Sequence, residues 1–213
     1  MTSESRPSGN PGRESARHEG LPEGAALLLV DVQNDFCPGG ALPVPEGDRV
    51  IPVLNRLIER FKAAGRPVYA SRDWHPPDTS HFRSQGGPWP PHCVAGTAGA
   101  ALHPALRVPP GTIVVSKGQD RRDDGYSAFE GTTDEGRALT DDLRARGISA
   151  LYVGGLATDW CVRATVLDAR RARLPVTVVV DGSAGIDPEG SRRALAEMKQ
   201  AGAALMSSSG EAS

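Results

Sequence analysis

A doubly wound, mostly parallel α/β sheet of the Rossmann type, with helices on both faces, is the fold this sequence predicts. Three observations carry it. Short, near-continuous apolar strands alternate with segments of helical periodicity. Several of those strands run into a charged or reactive residue at their carboxyl end, as strands of a parallel sheet buried on both faces do. No internal repeat interrupts the alternation. At 213 residues the chain suits one domain with a sizeable core. The expected organisation is a disordered tail over 1–24, a single α/β domain over 25–207 and a fraying end over 208–213.

The tail is rich in Ser, Pro, Gly, Arg and Glu and cannot bury enough apolar surface to offset chain entropy. A buried strand over 25–30 then runs into Asp31-Val32-Gln33-Asn34-Asp35-Phe36-Cys37. Asp48 is expected to cap a helix in which Val50, Val53, Leu54, Leu57, Ile58 and Phe61 share one face and Gly65 is the stop. A second strand over 67–71 delivers Arg72-Asp73-Trp74-His75. The Pro- and Gly-rich loop that follows carries His81-Phe82 and Trp89-Pro90-Pro91-His92-Cys93, and is too long to be a mere connector. A third strand over 112–116 ends at Lys117-Gly118, ahead of Tyr126-Ser127-Ala128-Phe129.

Thr132 with Glu135 reads as a capping box for a helix that Gly147 ends. Residues 150–153 form the fourth strand. Gly154-Gly155 then permit a sharp bend, and Thr158 or Asp159 is expected to cap a helix with Val162, Val166 and Ala169 on its apolar face. A fifth strand over 176–180 ends at Asp181, Asp187-Pro188 opens a last helix anchored by Leu195 and Met198, and 203–206 reads as a short edge strand.

With 24 Lys and Arg against 26 Asp and Glu, the net charge of -2 leaves no electrostatic footprint for nucleic acid or an anionic membrane. The expected partner is a small molecule, and a homo-oligomer is compatible with the sequence. No apolar run approaches the ~18 residues of a membrane span, and the N-terminus lacks a signal-peptide core, so a cytoplasmic protein is expected. Cys37, Cys93 and Cys161 are odd in number and far apart, which fits reduced thiols. Neither a Gly-x-Gly-x-x-Gly nor a Gly-x-x-x-x-Gly-Lys-Ser/Thr motif is present.

The carboxyl ends of a doubly wound sheet open onto one crevice. Asp31, Asp73 with His75, Lys117 and Cys161 each lie at or just past such an end. Cys161 falls in the first turn of its helix, where unpaired amides and the positive end of the dipole lower a thiol pKa and can hold an oxyanion. A buried, inert cysteine is the competing reading. Asp73 and His75 are two residues apart, so in an extended segment both point the same way. With His92, and His81 as a further candidate, they offer a carboxylate and two or three imidazoles, a set that suits one divalent ion, Zn²⁺ first and Fe²⁺ or Mn²⁺ next. Cys37 and Cys93 read as packed thiols, and His18 and His103 are given no role.

These residues resemble a known family. Asp31-Val32-Gln33-Asn34-Asp35-Phe36, Asp73-Trp74-His75, Trp89-Pro90-Pro91-His92-Cys93, Lys117-Gly118, Tyr126-Ser127-Ala128-Phe129 and Gly155-Leu156-Ala157-Thr158-Asp159-Trp160-Cys161-Val162 look like nicotinamidases of the isochorismatase-like hydrolase superfamily. The resemblance implies an amidase that converts nicotinamide, and often pyrazinamide, to the acid and ammonia through a cysteine thioester. It implies Cys161 as nucleophile, Asp31 as proton carrier and Lys117 as charge stabiliser. It further implies an oxyanion hole from the N–H groups of Ala157 and Cys161, with a cis peptide before Ala157. The metal would sit on Asp73, His75 and His92, with His81 completing the set, and would hold the pyridine nitrogen. Phe36, Trp89 and Tyr126 would wall the ring. Trp160 stands where such proteins often carry tyrosine. The rival functions are an amidohydrolase of carbamoyl or ureido groups, a non-catalytic metal-dependent binder, and a metal-activated water with Cys161 a bystander.

Overall fold

The computed structural model describes residues 20–209. The expected disordered tail lies outside the described residues as far as residue 19, as do residues 210–213 of the C-terminal end. Seven strands form one sheet in the order β4-β3-β2-β1-β5-β6-β7, where β1 is Ala25–Val30, β2 Val68–Asp73, β3 Ile113–Lys117, β4 Thr132–Thr133, β5 Ala150–Leu156, β6 Val176–Ala184 and β7 Ala204–Met206. All neighbours pair in parallel except β3 with β4. The sheet is the mostly parallel, doubly wound α/β architecture expected. Its strand order reverses at β1, which pairs with β2 on one side and β5 on the other, so the crevice at the switch point opens past Val30 and Leu156.

The alternation in β1 sorts the core. Ala25, Leu27 and Leu29 face a cluster built on α1 (Val50–Ala63), through Val50, Ile51, Leu54, Leu57, Ile58 and Phe61. Ala26, Leu28 and Val30 face α2 (Leu139–Ala145), α3 (Arg163–Arg171) and α4 (Pro188–Gln200), through Leu139, Leu143, Val166, Ala169, Ala194 and Met198. Every residue of β1 is buried, which is why the strand reads as an unbroken apolar run.

Local chemistry differs from expectation at five places. Asp48 lies inside a 3₁₀ turn, Gly47–Arg49, and α1 starts without a side-chain cap. The Thr132 and Glu135 pair caps nothing. Thr132–Thr133 instead adds an antiparallel edge to β3, Thr133 closes a tight turn with Arg137, and α2 begins only at Leu139. The real capping box is Ser127 with Glu130, over the 3₁₀ turn Ala128–Glu130. Gly154 and Gly155 sit within β5, not in a bend. A Cβ on Gly155 would lie 2.1 Å from the Val30 carbonyl, so glycine is what lets β5 approach β1 there. Asp181 is internal to β6, which runs on to Ala184. Its carboxylate accepts from the N–H and hydroxyl of Ser208, which anchors a residue assigned to the fraying end.

The long loop after β2 is fastened to the segment after β1. Gln33 Nε2 donates to Ala100 O, Asn34 Nδ2 to Ala98 O, and Asp35 Oδ2 accepts from Cys93 N. Among the described residues no helix is long and apolar enough to cross a membrane.

Candidate active site

Four strand ends converge as the fold class requires. Asp31 follows β1 with φ of 50°, a left-handed conformation aspartate tolerates, and the chain turns there so that Gln33 N–H reaches Asp31 O. Asp73 ends β2 and Lys117 ends β3, directly paired in the ladder. Cys161 follows β5 on a wide turn, Thr158–Val162, in which Val162 N–H reaches back five residues to Ala157 O. Neither Thr158 nor Asp159 caps it. Asp159 instead accepts from the N–H groups of Ile186 and Asp187, drawing the loop after β6 toward the site. The Leu156–Ala157 peptide is cis.

Lys117 Nζ is the hub. It lies 2.8 Å from Asp31 Oδ2, 2.6 Å from Gly125 O and 3.6 Å from Cys161 Sγ, and it pairs closely with Asp73 Oδ1. All of these groups are buried. Asp31 Oδ1 accepts from Ser71 Oγ at 2.7 Å, while Oδ2 takes no well-aligned hydrogen bond even from the adjacent ammonium and remains an acceptor in waiting. Carboxylate oxygens of Asp31 and Asp73 lie with Cys161 Sγ within 4.8 Å of one another.

Burial raises Asp31 to about 6, against the pull of Lys117. Burial alone would raise Asp73 too, but Lys117 beside it holds that carboxyl well below the usual range. Burial works against the Lys117 ammonium, yet Asp31 and Asp73 keep its pKa well above that of an ordinary lysine. For Cys161 burial dominates and pushes the thiol well up, with Lys117 opposing. The lowered thiol pKa expected from the helix terminus alone is therefore not what this site holds. Burial thus acts on both partners: it makes the Asp31 carboxylate a stronger base than an ordinary aspartate and the Cys161 thiol harder to ionise, while Lys117 opposes both shifts.

Next to this set lie three imidazoles. Ring nitrogens of His75, His81 and His92 fall within 4.8 Å of one another. His75 Nδ1 donates to Gly118 O and His92 Nδ1 to Pro90 O, since a carbonyl can only accept. Their Nε2 lone pairs then face Asp73 Oδ2, at 3.5 and 3.9 Å. This sets acceptor against acceptor, and His75 Nε2 has no hydrogen-bond partner. Burial pushes His92 down to about 4 and His81 down as well, which favours neutral, ligating rings. Asp31, Asp73 and Lys117 together leave one buried negative charge. Oriented lone pairs, a carboxylate and a charge deficit fit a divalent metal ion. Cys37 and Cys93 pack in the apolar core instead.

Both clusters face one narrow cavity, lined by Phe36, Trp89, Tyr126, Ala157, Trp160, Leu42, Val44 and Ile186 together with Asp73, His81, His92 and Cys161. Trp89 Nε1 donates to Tyr126 OH, and Trp160 packs edge-on against Trp89 at 4.8 Å with its outer edge exposed. A wider, open groove lies at the opposite, amino edge of the sheet between Glu23, Arg66 and Arg146, and it brings together no thiol or imidazole.

All eleven side chains singled out in the sequence border this cavity or the buried cluster beneath it. Others went unassigned. Gln33 clamps the Asp73 backbone from both sides, accepting from its N–H and donating to its C=O. Ser71 holds Asp31, Asp124 meets His81, and Ile186 with Leu42 closes the wall. Gln33 and Ser71 sit two residues from Asp31 and Asp73, a spacing that could have flagged them. Ile186 and Leu42 give no such signal.

Comparison with known proteins agrees with this geometry. The isochorismatase domain pattern matches residues 25–209. The chain is 46% identical to the nicotinamidase of Escherichia coli over 201 residues, covering 84% of this chain and 93% of that protein. It superposes on the pyrazinamidase of Pyrococcus horikoshii, solved in complex with zinc, with TM-score 0.81 and 45% identity over 86% of this chain and 99% of that one. The PnC1 protein of L. infantum, solved in complex with nicotinate, gives TM-score 0.79 and 37% identity, covering 87% of this chain and 93% of that one.

Proposed function

The chain belongs to the isochorismatase family, and from that premise we propose that it is an amidohydrolase which converts nicotinamide to nicotinate and ammonia, a step of NAD salvage, and accepts pyrazinamide likewise. One observation carries the reading above all. Lys117 Nζ contacts the Asp31 carboxylate and the Cys161 sulfur at once, at the floor of a cavity walled by flat rings and bordered by a metal-ligand set.

Asp31 takes the thiol proton, and the thiolate adds to the carboxamide carbon. The oxyanion that forms is received by the N–H groups of Ala157 and Cys161. Asp31 returns the proton to the departing nitrogen, ammonia leaves, and a thioester to Cys161 remains. Asp31 then draws a proton from water as it attacks, which frees the carboxylic acid and restores the thiol. Lys117 stays charged throughout and offsets the negative charge that moves between sulfur and carboxylate. Phe36, Trp89 and Tyr126 hold the ring in plane. Asp73, His75 and His92, with His81, would hold a divalent ion, zinc first and iron or manganese next, whose Lewis acidity supplies an anchor for the ring nitrogen.

Ammonia release from nicotinamide is the test. Wild-type protein is expected to release it, and Cys161→Ala to lose at least about 10³-fold. Chelator-stripped protein should recover on adding back metal. Near-normal turnover by Cys161→Ala would assign the chemistry to activated water instead. Indifference to nicotinamide, with turnover of a ureido substrate by stripped protein, would assign it to the carbamoyl class.

A further inference from the structure

The three imidazoles of the metal-ligand set are not oriented alike. His75 and His92 are held by backbone carbonyls, Gly118 O and Pro90 O, which no substitution removes. His81 Nδ1 meets a side chain instead, the Asp124 carboxylate at 3.1 Å, on the loop that follows β3. The imidazole of His81 is buried, whereas Asp124 is 64% exposed. A carboxylate accepts and cannot donate, so the contact fixes the proton of neutral His81 on Nδ1 and leaves the Nε2 lone pair free.

The same loop reaches the rest of the site within a few residues. Gly118 O orients His75, Gly125 O accepts from Lys117 Nζ at 2.6 Å, and Tyr126 OH accepts from Trp89. Gly125 is adjacent to Asp124, and Gly125 N–H is itself held by Asp123 Oδ1 at 2.9 Å. Loop 118–126 therefore ties two of the ligand histidines, the catalytic ammonium and an aromatic wall to one short piece of backbone.

We propose that Asp124 is a positioning residue for the metal centre. It fixes the tautomer and ring plane of His81 so that Nε2 is presented to a divalent ion, making His81 the one ligand whose strength is set by an exposed, replaceable side chain. The proposal rests on the metal-dependent reading above and goes beyond it in assigning a role to a residue outside the cavity.

Two measurements test it, one of them without metal. In chelator-stripped protein the tautomer of His81 is read from imidazole ¹⁵N shifts, with His81 assigned by substitution. Wild type is expected to hold Nδ1–H, and Asp124→Ala to shift His81, and only His81, toward Nε2–H. Zn²⁺ affinity is then measured by competition with a chromophoric chelator for wild type, Asp124→Ala, His81→Ala and the double variant. Asp124→Ala should bind Zn²⁺ about 10- to 100-fold more weakly, and should cost nothing further once His81 is gone. An unchanged tautomer, or an equal loss of affinity in the His81→Ala background, overturns the assignment. If wild type held the Nδ1–H tautomer but bound no Zn²⁺, the metal reading would fail while the orienting contact stood.

Discussion

As the proposed base, Asp31 faces two opposed demands. To take a proton from a thiol it needs a raised pKa, yet to be a base at neutral pH it must stay ionised. The structure meets both by burying the carboxylate completely and lodging it against an ammonium: burial lifts it to about 6, and Lys117 keeps it from going higher. Because the pKa is raised, the active ionised form is present above that value and is lost as pH falls through it. A plot of kcat/KM for nicotinamide against pH is expected to lose activity on its acid side around pH 6, well above the range of an ordinary aspartate. Asp31→Asn should remove that limb along with most of the activity. A limb near pH 4 would instead mean that Asp31 is not the titrating base. At this scale the sequence was legible in identities but not in protonation. It placed Cys161 in a first helical turn and so implied a lowered thiol, because periodicity shows a helix terminus but not the depth at which the sulfur sits.

At the scale of elements, strands and the α1 face could be read because they depend on which residues are apolar, and every such residue of β1 is buried. Caps and bends were harder, since Thr132 with Glu135 satisfies the spacing of a capping box and yet serves a hairpin edge. The local signal was the same in both cases, and pairing with Ser116 across the sheet decided between them. How α2 is held was likewise invisible. Asp142, with a side chain 2% exposed, accepts from Tyr69 OH at 2.8 Å and from Arg146 Nε at 2.8 Å, which joins the helix to β2 across the core. Burial opposes the Asp142 carboxylate, but these partners hold its pKa below the usual value. A depressed folded pKa stabilises the fold above the unfolded value and ceases to do so as pH falls through the folded one. Asp142→Asn is therefore expected to cost about 1.5–3 kcal/mol at neutral pH in urea unfolding. The gap from wild type should narrow as pH falls below the ordinary carboxylate range, and a gap that did not change with pH would mean the charge is not what matters.

For the molecule as a whole, the order of strands matters more than any one of them. Because β1 lies between β2 and β5, residues separated by 130 positions, Asp31 and Cys161, are brought to one floor, and the loop after β2 supplies the histidines that roof it. That roof is fastened by few backbone pairings, such as His75 with Val94 and Phe82 with Trp89, and by the clasps from Gln33, Asn34 and Asp35. Beneath it remain one uncompensated negative charge and an imidazole nitrogen without a partner, both of which cost free energy in a buried site. A divalent ion that binds the folded chain and not the unfolded one removes both costs, and its effect on stability follows mass action. At a free concentration near 100 times its dissociation constant the gain is about 2.7 kcal/mol. For a chain of this size that corresponds to a rise in Tm of roughly 5–10 °C. Thermal unfolding of chelator-stripped protein, titrated with Zn²⁺, should show Tm climbing with the logarithm of metal concentration. His92→Ala should flatten the climb, whereas Cys161→Ala, which removes the proposed nucleophile but none of the proposed ligands, should leave it intact. A Tm indifferent to metal, or one that Cys161→Ala flattened equally, would mean that the histidine cluster does not bind the ion and that roof and floor are not joined in this way.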